Sequence, residues 1–321
     1  MTEKQSDSFP LLPITSPQTL VKCKSLPDHP ELPTIFIASY PKSGTTWLQA
    51  IVATLLYENL ASTSSVPTSS FKHISDVSPF YEVDRTWCED ASIQPAVTSV
   101  HESLGYRVFN THLWWEMLPQ GESIKYLYIV RDGKDVVLSF YHHLSHQAEG
   151  RYEKSFDCFL DEWCEGEIAF GKWINHLRKW QEALAFSTTN GSNGKCLLLR
   201  YEDLVGNLSR EIRNIANFLF NNTNNGSYMS ITDERLEELC EMLSFSGMKR
   251  EISRYQPVSV TWTDNFQFLR KGCVGDSLNT FTSEQHQRFD RMVQLTFTNG
   301  DGNVNIPDWF MELGVFKRYE E

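Results

Sequence analysis

Long apolar runs are missing from this 321-residue chain. None approaches the roughly twenty residues that a membrane-spanning helix needs, and the opening "MTEKQSDSFPLLP" lacks the apolar core of a signal peptide. A cytoplasmic protein with no membrane partner is expected. Positive charge is also short: 29 Lys and Arg stand against 41 Asp and Glu, a net charge of −12. That balance argues against a general nucleic-acid or anionic-polysaccharide binder, so any anion site must be local. Cysteine pairing is lacking too. The seven cysteines (23, 88, 158, 164, 196, 240 and 273) are odd in number and scattered, with no C-x-x-C pair and no zinc-type spacing. Reduced thiols are expected, not a disulfide framework or a structural metal.

Apolar residues are plentiful, at 40%, enough for one sizeable core. Residues 1–32, rich in Pro and Ser, read as an irregular N-terminal arm, 33–315 as one domain and 316–321 as a tail. "TIFIASY" (from Thr34) is a short β-branched run that reads as a buried strand. "TWLQAIVATLLYENL" then sets Trp47, Leu48, Ile51, Val52, Leu55 and Leu56 on one helical face. The unit recurs: "RVFNTH" (107–112), "KYLYIVRD" (125–132) and "KCLLLRYEDL" (195–204) read as further strands, and helical spacing follows the last two. Residues 159–184 read as one Trp-rich helical segment, and 187–194 and 221–227 as surface loops. Strands apolar on both faces alternating with helices predict an α/β domain with a central parallel sheet flanked by helices.

In such a sheet, ligands lie beyond the carboxyl ends of the strands, so the residues just after each strand matter most. After the first comes "PKSGTTW", a strand-loop-helix able to bind an anion at a helix N-terminus. Gly44 lets backbone approach, Thr45 and Thr46 offer hydroxyls, and Lys42 adds a point charge. The loop is not Walker A, because its lysine precedes a single glycine. After the second strand comes His112. A lone histidine is often only structural, but this one stands beside the anion loop. After the third, Arg131 and Ser139 are spaced to grip a second phosphate, although Arg131-Asp132 alone could equally be an ion pair. Late in the chain, "LRKGCVGDSLNTFT" (269–282) pairs two cations with two glycines, suited to closing on a polyanion.

In order and spacing, "YPKSGTTW", "THL", "YIVRDGKDVVLSFYHH", "LLRYEDL" and "RKGCVGD" resemble the cytosolic sulfotransferase family from about residue 33 to 315. The resemblance implies the sulfuryl donor PAPS (phosphoadenosine phosphosulfate, leaving PAP), transfer to an acceptor hydroxyl or amine, and no metal. It places the 5′-phosphosulfate on Lys42, Ser43, Gly44, Thr45, Thr46 and Trp47, with Trp47 also near the adenine. It places the ribose 3′-phosphate on Arg131 and Ser139, joined by Arg270, Lys271 and Gly272. Tyr201, Ser244 and Phe245 match positions lining the nucleotide, and His112 matches the catalytic base, with Lys42 stabilising the leaving oxygen.

Where many animal members have Lys-Thr-His, this chain has Asn110 in place of the lysine. Ser277 replaces the tryptophan of Gly-Asp-Trp. The family's dimer motif survives only as Thr282 among Leu278, Ser283 and Gln287, which leaves the oligomeric state open. Phe80, Tyr81, Trp114, Trp115, Tyr141 and His142 are the expected lining of a pocket for a small apolar acceptor, such as a phenol or sterol. Two other readings are a P-loop nucleotide kinase, which would need a Walker B acid not evident here, and a protein that binds PAPS or PAP without turnover.

Overall fold

The computed structural model describes residues 9–10, 12–63, 71–189, 195–220, 231–263, 266–300 and 302–319. Four parallel strands, β1 (Thr34–Ala38), β2 (Arg107–Thr111), β3 (Ile124–Val130) and β4 (Cys196–Arg200), form one sheet in the order β2-β1-β3-β4. Thr34 pairs with Arg107 on one side and with Ile124 on the other. The chain therefore leaves β1 toward one edge and returns on β1's other side, the reversal beside which open α/β sheets bind ligands.

Both faces of the sheet are covered. Phe36 and Ala38 enter one apolar layer with Phe109, Tyr126 and Tyr128, while Ile35 and Ile37 enter the other with Val108, Leu127 and Ile129. This period-2 division is why the strands read as continuous apolar runs. Helix α2 (Thr45–Thr63) follows β1 directly. Its four consecutive residues Ala50–Ala53 are all buried, so it is covered on more than the single face expected.

Several boundaries differ from the sequence reading. The arm carries a helix, α1 (Pro17–Ser25), whose start is fixed by the Ser16 hydroxyl accepting from the Thr19 N–H and by Pro17 in the first turn, where no helical N–H is needed. Thr19 and Cys23, one turn apart, are its buried contacts. The 159–184 segment is two helices, Phe156–Glu165 and Trp173–Thr189, parted at Gly166, which takes the left-handed conformation (φ 81°) that ends the first. The second runs through 187–189; the remainder of that expected loop and all of 221–227 lie outside the described residues. β4 stops at Arg200, and Tyr201–Gly206 is helical.

The last described residues are tied down. Val315 accepts from the Gly133 N–H at 3.0 Å, the Tyr319 N–H donates to Asp290 at 2.7 Å, and the Tyr319 ring stacks on His286 at 4.3 Å. All seven cysteines are free thiols. Among the described residues no helix is long and apolar enough to cross a membrane.

Candidate active site

The loop between β1 and α2 is set by two left-handed residues. Lys42 has φ 69° and Gly44 φ 111°. A Cβ on Gly44 would lie 2.9 Å from Tyr201 Cδ2 and 3.1 Å from Ile129 Cδ1, so only glycine fits where backbone, tyrosine and sheet converge. The first N–H groups of α2 point out of this loop with the positive end of the helix dipole. Ser43 and Thr45 are buried, and Thr45 Oγ1 shares a hydrogen bond with Ser39 Oγ at 2.6 Å.

His112 lies one residue past β2, partly exposed. Its Nδ1 is 2.7 Å from the Ser39 carbonyl oxygen, an acceptor, so Nδ1 carries the proton and Nε2 is left with a free lone pair. Its backbone is clamped: the N–H donates to Glu82 Oε1 at 2.6 Å, and the carbonyl accepts from His176 Nε2 at 3.2 Å. His176 is in turn oriented by the Tyr128 hydroxyl, 3.0 Å from its Nδ1. Phe80 and Phe170 stand edge-on to the His112 ring at 5.3 and 5.1 Å. Burial above all, then the charge of Lys42, lowers His112 to a pKa of about 4 against the upward pull of the Ser39 bond, so the ring is neutral at pH 7.

Lys42 Nζ lies 3.1 Å from His143 Nδ1 and 4.9 Å from the Phe268 ring centre. Burial, with the nearby Arg131 charge, lowers it to about 7. Arg131, just past β3, stacks its guanidinium on Tyr201 at 4.3 Å and bonds Asp135 (3.3 Å) and the Cys273 carbonyl (3.2 Å). Its Nε is buried without a hydrogen-bond partner. Trp47 packs edge-on to Tyr201 at 5.6 Å and donates to the Leu243 carbonyl at 2.8 Å.

The late loop closes against the same group. A Cβ on Gly272 (φ 64°) would meet Phe245 Cδ2 at 2.1 Å, and Gly275 and Ser277 donate backbone N–H bonds to the buried Asp135 at 2.8 and 2.9 Å. Lys42, Gly44, Trp47, His112, Arg131, Tyr201, Phe245 and Gly272 are thus joined by one set of contacts. Arg270 and Lys271 differ from expectation in that both pair with Asp276 in their own loop, Arg270 at 2.5 Å. The Ser244 hydroxyl caps its helix, accepting from Gly247 at 3.0 Å. Ser139 is partly exposed on the helix Gly133–Leu144.

Of the six residues expected to line an acceptor pocket, Phe80 meets His112. Tyr81 is fully buried in the core: its ring packs on Phe36, Trp87 and Phe109, and its hydroxyl donates to the Cys23 carbonyl. Trp115 likewise packs inward, on Tyr126 and Trp180. Trp114 is nearly buried under Phe9, which also contacts Phe170, so the arm reaches the aromatic wall beside His112. Tyr141 packs on Phe156 and Phe159, and His142 adjoins it. Phe170, Glu82, Asp135 and His143 were not singled out from the sequence. For Asp135 and His143 the signal was present, in an acid and a histidine within "RDGKDVVLSFYHH". Among the described residues no cluster of three or more His, Cys, Asp or Glu is placed to hold a metal ion.

A parallel sheet, a left-handed loop leading into α2 after β1 and a histidine at the end of the adjacent strand give the chain its α/β class and the place of its candidate site. The match extends to a family: residues 32–301 fit the sulfotransferase domain model, and the chain belongs to that family. It is 29% identical to rat (Rattus norvegicus) sulfotransferase 1A1, covering 83% of this chain and 85% of that protein. It is 30% identical to dog (Canis lupus familiaris) sulfotransferase 1B1, covering 80% of each. In fold it is similar to mouse sulfotransferase SULT7A1 complexed with PAP (TM-score 0.63, 24% identity, 90% and 91% of the two chains) and to retinol dehydratase in a complex with retinol and PAP (TM-score 0.62, 21% identity, 90% and 87%). The chain is a sulfotransferase, a transferase of sulfur-containing groups.

Proposed function

We propose that the protein takes a sulfuryl group from PAPS and passes it in line to the hydroxyl of a small apolar acceptor, with His112 as general base. The observation that carries this is the His112 tautomer: a proton fixed on Nδ1 by the Ser39 carbonyl leaves Nε2 free, and the neutral ring sits one strand from the anion loop. Nε2 takes the hydroxyl proton while the acceptor oxygen bonds to sulfur and the sulfur–oxygen bond to the donor's 5′-phosphate breaks. The leaving electron pair stays on that phosphate oxygen, where the Lys42 ammonium meets the new charge. Such transfer depends on alignment and charge stabilisation more than on covalent help from the protein.

The residues fit the donor. Gly44 leaves backbone open to the phosphosulfate, the unpartnered Arg131 Nε suits the 3′-phosphate, and Trp47 with Tyr201 offers aromatic surface to the adenine. Ser43, Thr45 and Thr46 hold the 5′-phosphate, Ser139 joins Arg131, and Phe245 and Gly272 close over the nucleotide. Arg270 and Lys271 add their charge by exchanging Asp276 for phosphate. In this reading the protein's own cations supply the countercharge.

Phe80 and Phe170 flanking His112, with Phe9 and Trp114 behind Phe170, support a flat apolar acceptor, a phenol or sterol-like alcohol. The altered motif at Leu278–Gln287 supports a monomer, or a dimer through another surface. A panel of phenols, sterols, aliphatic alcohols and sugars with labelled PAPS tests the acceptor class. Turnover concentrated on the hydrophobic alcohols is expected; equal turnover of sugars would refute it.

A further inference from the structure

Beyond the assigned base and cation, a second imidazole reaches the reacting groups. His143, in the last turn of the helix Gly133–Leu144, sets its Nδ1 3.1 Å from Lys42 Nζ. An ammonium only donates, so Nδ1 accepts and the ring proton sits on Nε2. The ring is held in an aromatic pocket: Trp262 at 4.9 Å, Phe266 at 6.2 Å and Phe268 at 6.4 Å, with Trp262 and Phe266 stacked on each other at 4.0 Å. Phe268 also receives the Lys42 ammonium on its ring face. Lys42 is thus docked between an imidazole acceptor and an aromatic face.

Asn110 gives this docking its weight. Its uncharged amide donates to the Ser78 carbonyl at 2.7 Å, so this position of β2 supplies no second cation beside Lys42. A lone lysine on a four-carbon stem has many rotamers, and fixing one before reaction removes an entropic part of the barrier.

We propose that His143 is a positioning residue for sulfuryl transfer, its Nδ1 holding the Lys42 ammonium where it meets the bridging oxygen of the donor. This rests on the PAPS reading above. Three ammonium hydrogens allow Lys42 to keep Nδ1 and reach that oxygen together. Loss of the acceptor leaves the amine mobile, less readily protonated, and slower to stabilise the leaving group.

The test compares wild type, His143→Phe, which keeps an aromatic ring but no acceptor, and His143→Asn, whose amide oxygen can take the place of Nδ1. Two readouts are taken: transfer kinetics with labelled PAPS, and the rate at which an amine-directed reagent modifies Lys42 in donor-free protein near pH 6. Expected for His143→Phe is a fall in kcat of about tenfold, the size of one charge-assisted hydrogen bond, with acceptor KM little changed. Lys42 labelling should be several-fold faster, and His143→Asn should return both toward wild type. An active wild type with unchanged kcat and labelling in His143→Phe overturns the role. A wild type that transfers nothing overturns the donor reading instead, and labelling then decides the Lys42–His143 contact alone.

Discussion

The Ser39 carbonyl, by taking the Nδ1 proton of His112, does more to define the chemistry than any charged neighbour. It fixes which nitrogen is basic, and burial keeps that nitrogen unprotonated until about pH 4. Lys42 behaves in the opposite sense, charged below about 7 and neutral above it. The free-enzyme profile of kcat/KM should therefore be bell-shaped, falling as pH drops through about 4 because the base is lost and as it rises through about 7 because the cation is lost. A profile still rising between pH 5 and 7 with a midpoint near 6.5 would show that His112 is not held as described. Replacing Lys42 by Met should cost about 10²–10³ in kcat, the range for removing one group that stabilises developing charge. Measurement of single-turnover rates checks it, and a loss confined to KM would contradict the assignment. Both residues were legible because each directly follows an apolar strand. Glu82, Phe170 and Phe9 were not: Glu82 and Phe9 come from segments with no periodic pattern, Phe170 from a stretch that read as one helix, and they gather around His112, Phe9 by way of Phe170, only through the tertiary fold.

At the level of elements, the late loop is held by one carboxylate. Asp135 accepts from Gly275, Ser277 and Arg131 together, binding residues 269–282 to the start of the helix Gly133–Leu144. Asp135→Ala would leave those N–H groups unpaired and free the loop. Nucleotide affinity by calorimetry should weaken about tenfold or more, and limited proteolysis should cut faster within 269–282. Undiminished affinity would mean that the loop does not need this anchor. The strands were readable because both faces of the sheet are covered and most of their positions are therefore apolar. Helix α1 was not readable from periodicity, because it buries only Thr19 and Cys23; its signal was the Ser16 cap followed by Pro17. β4 was read four residues too long because, although the apolar run ends at Leu199, no glycine or proline marks the point at Arg200 where the chain turns directly into a helix.

Across the whole molecule, two histidines outside the candidate base are buried and held neutral. His101 is lowered to about 4 and His176 to about 3, in both cases by burial first. A histidine whose folded pKa lies below its unfolded value of about 6.5 binds its proton first in the unfolded chain. The stability it contributes is whole above pH 6.5 and is lost as pH falls toward the folded value, on the order of 3 kcal/mol for a shift of this size. The unfolding temperature should therefore fall steadily from pH 6.5 to 4. A Tm constant across that window would contradict these neutral burials.

Transfer from PAPS with His112 as base is tested by single-turnover transfer of labelled sulfate from PAPS to a phenol by wild type and His112→Ala. Wild type should transfer the label, and the variant should do so about 10²–10⁴-fold more slowly with PAP binding by calorimetry retained. Full activity in His112→Ala, or tight nucleotide binding without any sulfated product from wild type, would contradict it.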